Sequence, residues 1–157
     1  LLQWAAAGAP GPSPTDPELV RLEAFPKAAL LKPRESVRVV VRAVYANGTA
    51  EDVTRWAKFV SSEEQVATVS EEGQVTVAGH GEAAMSVLFG TKVAALTVTA
   101  PYPTEVPAAA FAPPPGAGFV DTLVLKKLGL LRIPPAGPAT DAEFVRRVYL
   151  DVCGVLP

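Results

Sequence analysis

The chain of 157 residues is poor in the residue types that most often build reactive centres. It contains one Cys and one His, so no disulfide can close within it and no group of histidines can bind zinc. Charged residues make up 19 % of the sequence, and the formal net charge is −2. This balance leaves no basic footprint for nucleic acid. We therefore predict a chain that is not an enzyme, binds no nucleic acid and holds no metal or cofactor.

Long apolar runs are also missing. No run reaches the roughly 18 residues that suggest a membrane span, so we predict no membrane span in this chain. The first ten residues, "LLQWAAAGAP", lack the basic region with which a signal peptide begins. We expect the sequence to be an excerpt from a longer polypeptide.

Proline and glycine are abundant and clustered, with 16 Pro and 12 Gly. Residues 8–17 and 101–118 are rich in both, which is typical of linkers with an extended path. Four parts follow from this division. Residues 1–18 are the helical tail of an upstream domain and a linker, 19–100 are a small β domain, 101–118 are a second linker, and 119–157 begin a helical domain.

The central block has the pattern of β-strands. In "SVRVVVRAVY", residues 36–45, apolar side chains recur with a period of two, as in a strand with one buried face. Turn signals such as Asn47-Gly48 separate this segment from further apolar segments. These segments are 19–24, 65–70, 74–78, 82–89 and 93–99. Several short strands without a long helix predict a mainly β fold, an antiparallel β-sandwich.

Trp56 stands in the stretch "EDVTRWAKFVSSEEQVATVS", residues 51–70, among short apolar segments. We predict that its indole fills the core between two sheets, where burial of about 200 Å² would make Trp56→Ala cost roughly 3–5 kcal/mol. Tyr45 and Phe89 fall on strand patterns and are predicted in the core too. The run Ser61–Glu64 is predicted to be a polar loop.

Two helices are predicted near the end of the sequence. Apolar residues recur at helical spacing from Phe119 to Leu128, and we expect this helix to end near Gly129. Thr140 and Glu143 form a capping-box pattern, which predicts a helix over about 141–152 with Gly154 in the left-handed position after it. Arg147 and Asp151 are spaced as a helical ion pair.

Residues 20–98 resemble a bacterial immunoglobulin-like domain of the invasin/intimin group. The motifs that carry the resemblance are Pro26 to Pro33, Tyr45–Thr49, Asp52-Val53-Thr54, Trp56, Ser61-Ser62, Val66–Val69 and Gly73–Thr76 followed by Gly81. The resemblance implies an Ig-like sandwich in an exported or cell-surface bacterial protein, where such domains act as spacers or adhesive modules. It implies no catalytic residues.

The flanking parts carry resemblances of their own. "FVRRVYLDVCGVLP", residues 144–157, is similar to the start of a domain of unknown function common in planctomycete proteins, and "LLQWAAAGAP" is similar to the closing helix of a cytochrome-c-like domain. Together they imply a multidomain protein with haem possible upstream. The haem-attachment pattern Cys-x-x-Cys-His is absent from the 157 residues, so no haem is assigned to this chain.

Each candidate for chemistry has a plainer interpretation that we favour. His80, between two glycines, is predicted to be an exposed turn residue, because a metal would need further ligands. Cys153 is predicted to be a buried, inert thiol. Asn47-Gly48-Thr49 reads as a glycosylation sequon but is explained by a turn. The acidic residues considered as Ca²⁺ ligands are predicted to be solvated loop charges. They are Asp52, Glu63, Glu64, Glu71 and Glu72.

Two hypotheses for function remain open at this point. The first is a non-catalytic Ig-like spacer or binding module of a multidomain, extracytoplasmic protein, with neighbouring domains and a protein or carbohydrate ligand as partners. The second is a positioning segment of a larger haem-containing redox protein or enzyme whose active residues lie elsewhere. A Cys-x-x-Cys-His pattern upstream in the parent chain would favour the second. An adhesive module would need an exposed aromatic patch.

Overall fold

The computed structural model describes residues 2–9, 11, 13 and 15–157, and the chain divides into two compact units, one up to residue 102 and one from residue 103. Part of the predicted linker over residues 8–17, including Pro10, Pro12 and Pro14, lies outside the described residues. In the described part, every helix is too short or too polar to cross a membrane.

The first unit contains a short helix, α1 (Leu2–Ala6), followed by ten strands. The strands are β1 (Leu19–Phe25), β2 (Ala28–Leu30), β3 (Ser36–Arg38), β4 (Val40–Tyr45), β5 (Ala50–Asp52), β6 (Lys58–Ser61), β7 (Ala67–Val69), β8 (Gln74–Val77), β9 (Gly81–Phe89) and β10 (Lys92–Ala100). All five apolar segments predicted beside residues 36–45 form strands, whereas the three-residue strands β2 and β5 and the edge strand β6 were not predicted.

The strands pair in two layers. One layer contains the orders β1-β4-β5 and β3-β8-β7, which are joined because only Val39 separates β3 from β4. The other layer has the order β2-β10-β9-β6. Pairing is antiparallel throughout except between β2 and β10. Two facing antiparallel layers are the plan of Ig-like sandwiches, and the predicted mainly β, Ig-like sandwich with a short N-terminal helix and a C-terminal two-helix segment is confirmed.

The core between the layers is aliphatic. The predicted inward face of residues 36–45 is confirmed, since Val39, Val41 and Ala43 are fully buried and Tyr45 packs against them. Phe89 also packs against this core at half burial. The largest fully buried side chains are Met85, Leu96, Val39, Val41, Val53, Val75, Val77, Val87 and Val98.

The prediction that Trp56 fills the core is wrong, because its side chain is 71 % exposed. Residues 54–56 form a 3₁₀ turn before β6, and the turn directs Val53 and Ala57 inward while Trp56 faces solvent. The aromatic residue that packs against the core from this stretch is Phe59. Its ring lies so close to Gly73 that a Cβ there would be 3.0 Å from Phe59 Cζ, and Gly73 has a φ of +78°.

Thr54 links this turn to the sheet. Its buried hydroxyl accepts the backbone N–H of Val41 at 2.8 Å and donates to Asp52 Oδ1 at 2.5 Å. The Val53 N–H donates to the Val41 carbonyl at 2.9 Å. The Asp52-Val53-Thr54 motif therefore has a structural role. Val53 packs in the core, Thr54 supplies an acceptor for the Val41 N–H, and Asp52 accepts the Thr54 hydroxyl.

The second unit contains α2 (Phe119–Leu131), α3 (Asp141–Val148) and a π-helical turn (Tyr149–Cys153). The helix α2 continues two residues past the predicted end at Gly129, since a glycine is tolerated within a helix, and the left-handed residue after it is Arg132.

The capping box of Thr140 and Glu143 and the left-handed Gly154 are confirmed. Among the described residues no ion pair joins Arg147 and Asp151. Because a π turn widens the helix, residues four apart no longer stack along it.

Candidate interaction surfaces

The chain enters and leaves the sandwich at opposite ends. Leu19 opens β1 beside the β9–β10 hairpin, since a Cβ built on Gly90 would lie 3.2 Å from Leu19 Cδ2. From that hairpin, β10 runs from Lys92 to Ala100, which spans about 27 Å at the rise of an antiparallel strand. The two connections of the sandwich are therefore separated by the length of its longest strands.

The outer surface of the four-stranded layer carries almost no charge. We call this surface the low-charge face and define it by the outward residues of β2, β6, β9 and β10 that are exposed or half-buried. They are Ala28, Leu30, Lys58, Val60, Glu82, Ala84, Ser86, Leu88, Val93, Ala95 and Thr97. Lys58 and Glu82 are the only charged residues in this set, and they lie toward its opposite ends, since Lys58 pairs with Leu88 whereas Glu82 pairs with Thr99.

The outer surface of the other layer differs because it carries an ion-pair network. Glu23 on β1 is bonded to Arg21 Nε at 2.9 Å and to Arg42 Nη2 on β4 at 3.1 Å. The hydrogen bond from Arg21 and the charges of both arginines hold the pKa of the Glu23 carboxyl below its ordinary value. All of these side chains contact solvent, so the network favours solubility more than stability. The two outer surfaces of one sandwich are thus chemically distinct.

Trp56 lines an open cleft of about 420 Å³ beside β6. The cleft combines the exposed indole with three charged lining residues, Arg55, Lys58 and Glu71. Aromatic and Arg side chains of this kind are enriched at protein interfaces. The aromatic group that sequence reasoning had placed in the core is thus part of the accessible surface.

His80 occupies a bend, as predicted, but it is half-buried rather than exposed. Its ring stacks on Tyr102 with centroids 5.7 Å apart and an angle of 26° between the planes. Its Nδ1 lies 2.7 Å from the Pro101 carbonyl oxygen, and because a carbonyl only accepts, Nδ1 carries the proton. His80 thereby fixes the residues that follow β10.

The predicted solvated charges are exposed, and their partners are local. Asp52 accepts from the hydroxyl and the N–H of Thr54, and these bonds lower the pKa of its carboxyl. Glu72 accepts from the Ser70 hydroxyl at 2.8 Å, which lowers its pKa likewise. Within the described residues, no three His, Cys, Asp or Glu side chains converge as metal ligands would.

Two further candidates are settled by their surroundings. Cys153 is exposed, so the prediction of a buried thiol is wrong. It lies in the π turn after α3. Apolar residues nearby are exposed as well, since Phe144 of α3 is 62 % exposed and Val152 of the π turn is 78 % exposed. Asn47 forms the predicted turn, with its Oδ1 accepting the N–H of Thr49 at 3.0 Å. Gly48 there has a φ of +82°.

The low-charge face is the feature that sequence reasoning missed. A signal for it was present, because alternate residues from Glu82 to Leu88 and from Val93 to Thr97 are all uncharged except the first. The alternation was used to find the buried faces of the strands, and the residues between them were not compared across strands.

Comparison with known proteins yields structural likenesses only. No protein-family model matches the chain, and no curated protein matches it. Domains 5–6 of the S-layer protein SbsC are similar over 54 % of this chain and 45 % of theirs, with 18 % identity and a TM-score of 0.46. An EHEC O157:H7 intimin mutant is similar over 54 % of this chain and 48 % of its own, with 19 % identity and a TM-score of 0.39.

Intimin in complex with Tir90 is similar over 52 % of this chain and 46 % of its own, with 19 % identity and a TM-score of 0.32. The chain therefore spans less than half the length of each of these solved structures. The assignment of an Ig-like sandwich rests on the strand pairing itself, in which β1 joins one layer and β2 the other.

Proposed function

We propose that residues 19–100 form a non-catalytic spacer module that separates neighbouring domains of a longer, extracytoplasmic bacterial protein. The observation that carries this proposal is the placement of Leu19 and Ala100 at opposite ends of the sandwich. A domain inserted in this way adds about 27 Å between the parts that it connects. The extracytoplasmic location and the boundaries at 1–18, 19–100, 101–118 and 119–157 belong to the same proposal.

The pairing of the second strand with the last one supports a spacer that resists force. The strands β2 and β10 are parallel, and they are joined by bonds from Leu31 N–H to the Thr99 carbonyl at 3.0 Å and from Thr97 N–H to the Lys27 carbonyl at 3.1 Å. Tension applied at the two termini pulls parallel neighbours in opposite directions along their length. Such a load stretches these bonds together, whereas a load across a hairpin breaks bonds one after another.

The experiment is single-molecule pulling of the 157-residue chain in two geometries. In a Cys153→Ser background, handles are attached through Asp16→Cys and Thr104→Cys, and in the control through Asp16→Cys and Thr91→Cys. We expect the first geometry to require the higher unfolding force, because it loads the two ends of the sandwich. Equal forces, or a lower force in the first geometry, would contradict the proposed spacer.

A second role, binding of a protein or carbohydrate ligand, is favoured by the exposed Trp56 and its charged neighbours. Binding screens with the chain and with Trp56→Ala would test it. We expect a ligand of this cleft to lose most of its affinity in the variant. Binding that is equally strong in both proteins would place the ligand elsewhere.

A further inference from the structure

We propose that the low-charge face is a self-association surface on which two copies of this chain pack face to face as a weak, reversible dimer. The proposal goes beyond the spacer function and does not depend on it. It rests on three properties of the face: its composition, its charge pattern and its area.

The composition of the face is that of a surface suited to contact. Its aliphatic residues include Leu30, Val60 and Val93, which are 59 %, 44 % and 63 % exposed. Small residues, such as Ala84 and Ala95, lie between them on the central strands. Small and β-branched side chains let two sheets approach at the spacing of a sandwich core, about 10 Å. The opposite layer, with Arg21, Glu23 and Arg42, lacks this property.

The charge pattern identifies the occupant as a second copy. Lys58 lies at one end of the face, beside Leu88, and Glu82 lies toward the other end, six residues along β9. A two-fold axis across the strands stacks the copies with their strands reversed. This arrangement brings Lys58 of each copy toward Glu82 of the other. Such a contact is isologous, since one patch serves both partners.

Glu82 retains its bond within the chain in this arrangement. It accepts the Thr99 hydroxyl at 2.9 Å, and a carboxylate has further acceptor sites for a Lys ammonium. The two ion pairs at the ends of the contact set its orientation, while the aliphatic centre supplies most of the favourable free energy.

The area of the face indicates that the dimer is weak. Four strands across and seven residues along β9 give a flat surface on the order of 300 Å² per copy. A stable interface usually buries about 800 Å² per partner. We therefore expect a transient, reversible contact that forms only at high protein concentration.

Sedimentation equilibrium of the whole chain over about 5 μM to 1 mM tests the proposal. Ala95→Glu places two like charges near the centre of the contact, and we expect the dissociation constant to rise at least ~10-fold. The matched control is Thr76→Glu, which adds the same charge at an exposed position of β8 in the other layer. The control should leave the constant unchanged.

A charge exchange separates direct pairing from a general effect of charge. Lys58→Glu and Glu82→Lys should each weaken the dimer, and the double variant should restore it. A chain that stays monomeric at the highest concentration overturns the proposal. Dimerisation that survives Ala95→Glu, or a double variant weaker than both single ones, also overturns it. If Ala95→Glu lacks a native circular dichroism spectrum, Val60→Lys on the edge strand β6 replaces it, and the same rise in the dissociation constant is expected.

Discussion

The hydroxyl of Thr54 accepts the backbone N–H of Val41 at 2.8 Å, in a part of the sandwich where both residues are buried. Val41 is the second residue of β4, and its N–H points toward the 3₁₀ turn instead of toward another strand. A side chain from the turn thus completes the hydrogen bonding of a strand at the point where regular pairing ends.

Replacement of Thr54 by Val should destabilise the sandwich by about 1–3 kcal/mol, because Val has the same shape but leaves the Val41 N–H without an acceptor. Thr54→Ser retains the hydroxyl and is the matched control. Chemical denaturation followed by far-UV circular dichroism measures both. Equal stabilities of the Val and Ser variants would show that the hydroxyl does not matter to the fold.

Asp52 should make the stability of the fold depend on pH. The side-chain and backbone hydrogen bonds from Thr54 lower the pKa of the Asp52 carboxyl in the folded state. A lowered folded-state pKa stabilises the fold above the unfolded pKa of about 4, and this contribution is lost as the pH falls through the folded value. Asp52→Asn removes the titrating group.

We expect the difference in unfolding free energy between the wild type and Asp52→Asn to shrink as the pH falls below about 4. Urea titrations at a series of pH values would measure this difference. A difference that is constant across the acidic range would contradict the role of the carboxylate charge.

Trp56→Ala should change the unfolding free energy by less than about 0.5 kcal/mol, since a substitution at an exposed position away from a packed core has little effect. Met85→Ala, at a fully buried position, should instead cost about 2–5 kcal/mol through lost burial and the cavity left behind. Thermal or chemical unfolding of the two variants side by side is the measurement. A large loss of unfolding free energy in Trp56→Ala would mean that the indole is packed in the core.

His80→Phe should loosen the segment after β10 without unfolding the sandwich. The variant keeps an aromatic ring against Tyr102 but loses the bond to the Pro101 carbonyl, worth about 1 kcal/mol. Amide ¹⁵N relaxation at Tyr102 should report greater motion in the variant, while core amides such as that of Val87 stay rigid. Unchanged relaxation at Tyr102 would mean that stacking alone holds the segment.

The strands that sequence patterns predicted are those whose alternation reflects one buried face. Residues 36–45 and 82–89 fulfil that condition, because their inward positions meet the core at nearly every second residue. The strand β5 pairs with β4 across the Asn47-Gly48 turn, but its three residues are all exposed and carry no apolar alternation. The strand β2 also has only three residues, and a partner distant in sequence fixes it, as Thr97 does for Ala28. A pattern within one short segment carries no information about such a partner.

Trp56 was misplaced for a related reason. Size and apolarity favour a Trp in the core, but the direction of its side chain depends on the local backbone. Counting by two back from Val60 through Lys58 leads to Trp56, which gives the outward direction that the structure has. Side-chain periodicity is more informative here than residue type.

The exposed indole has a practical consequence for optical experiments. Trp56 is already in contact with water in the native state, so its emission spectrum should change little when the sandwich melts, and fluorescence will be a poor monitor of folding. The same exposure makes the indole a sensitive fluorescent probe of a molecule that binds in the cleft. In a Trp4→Phe background, which leaves Trp56 as the single indole of the chain, a blue shift or quenching on titration would signal contact with another molecule.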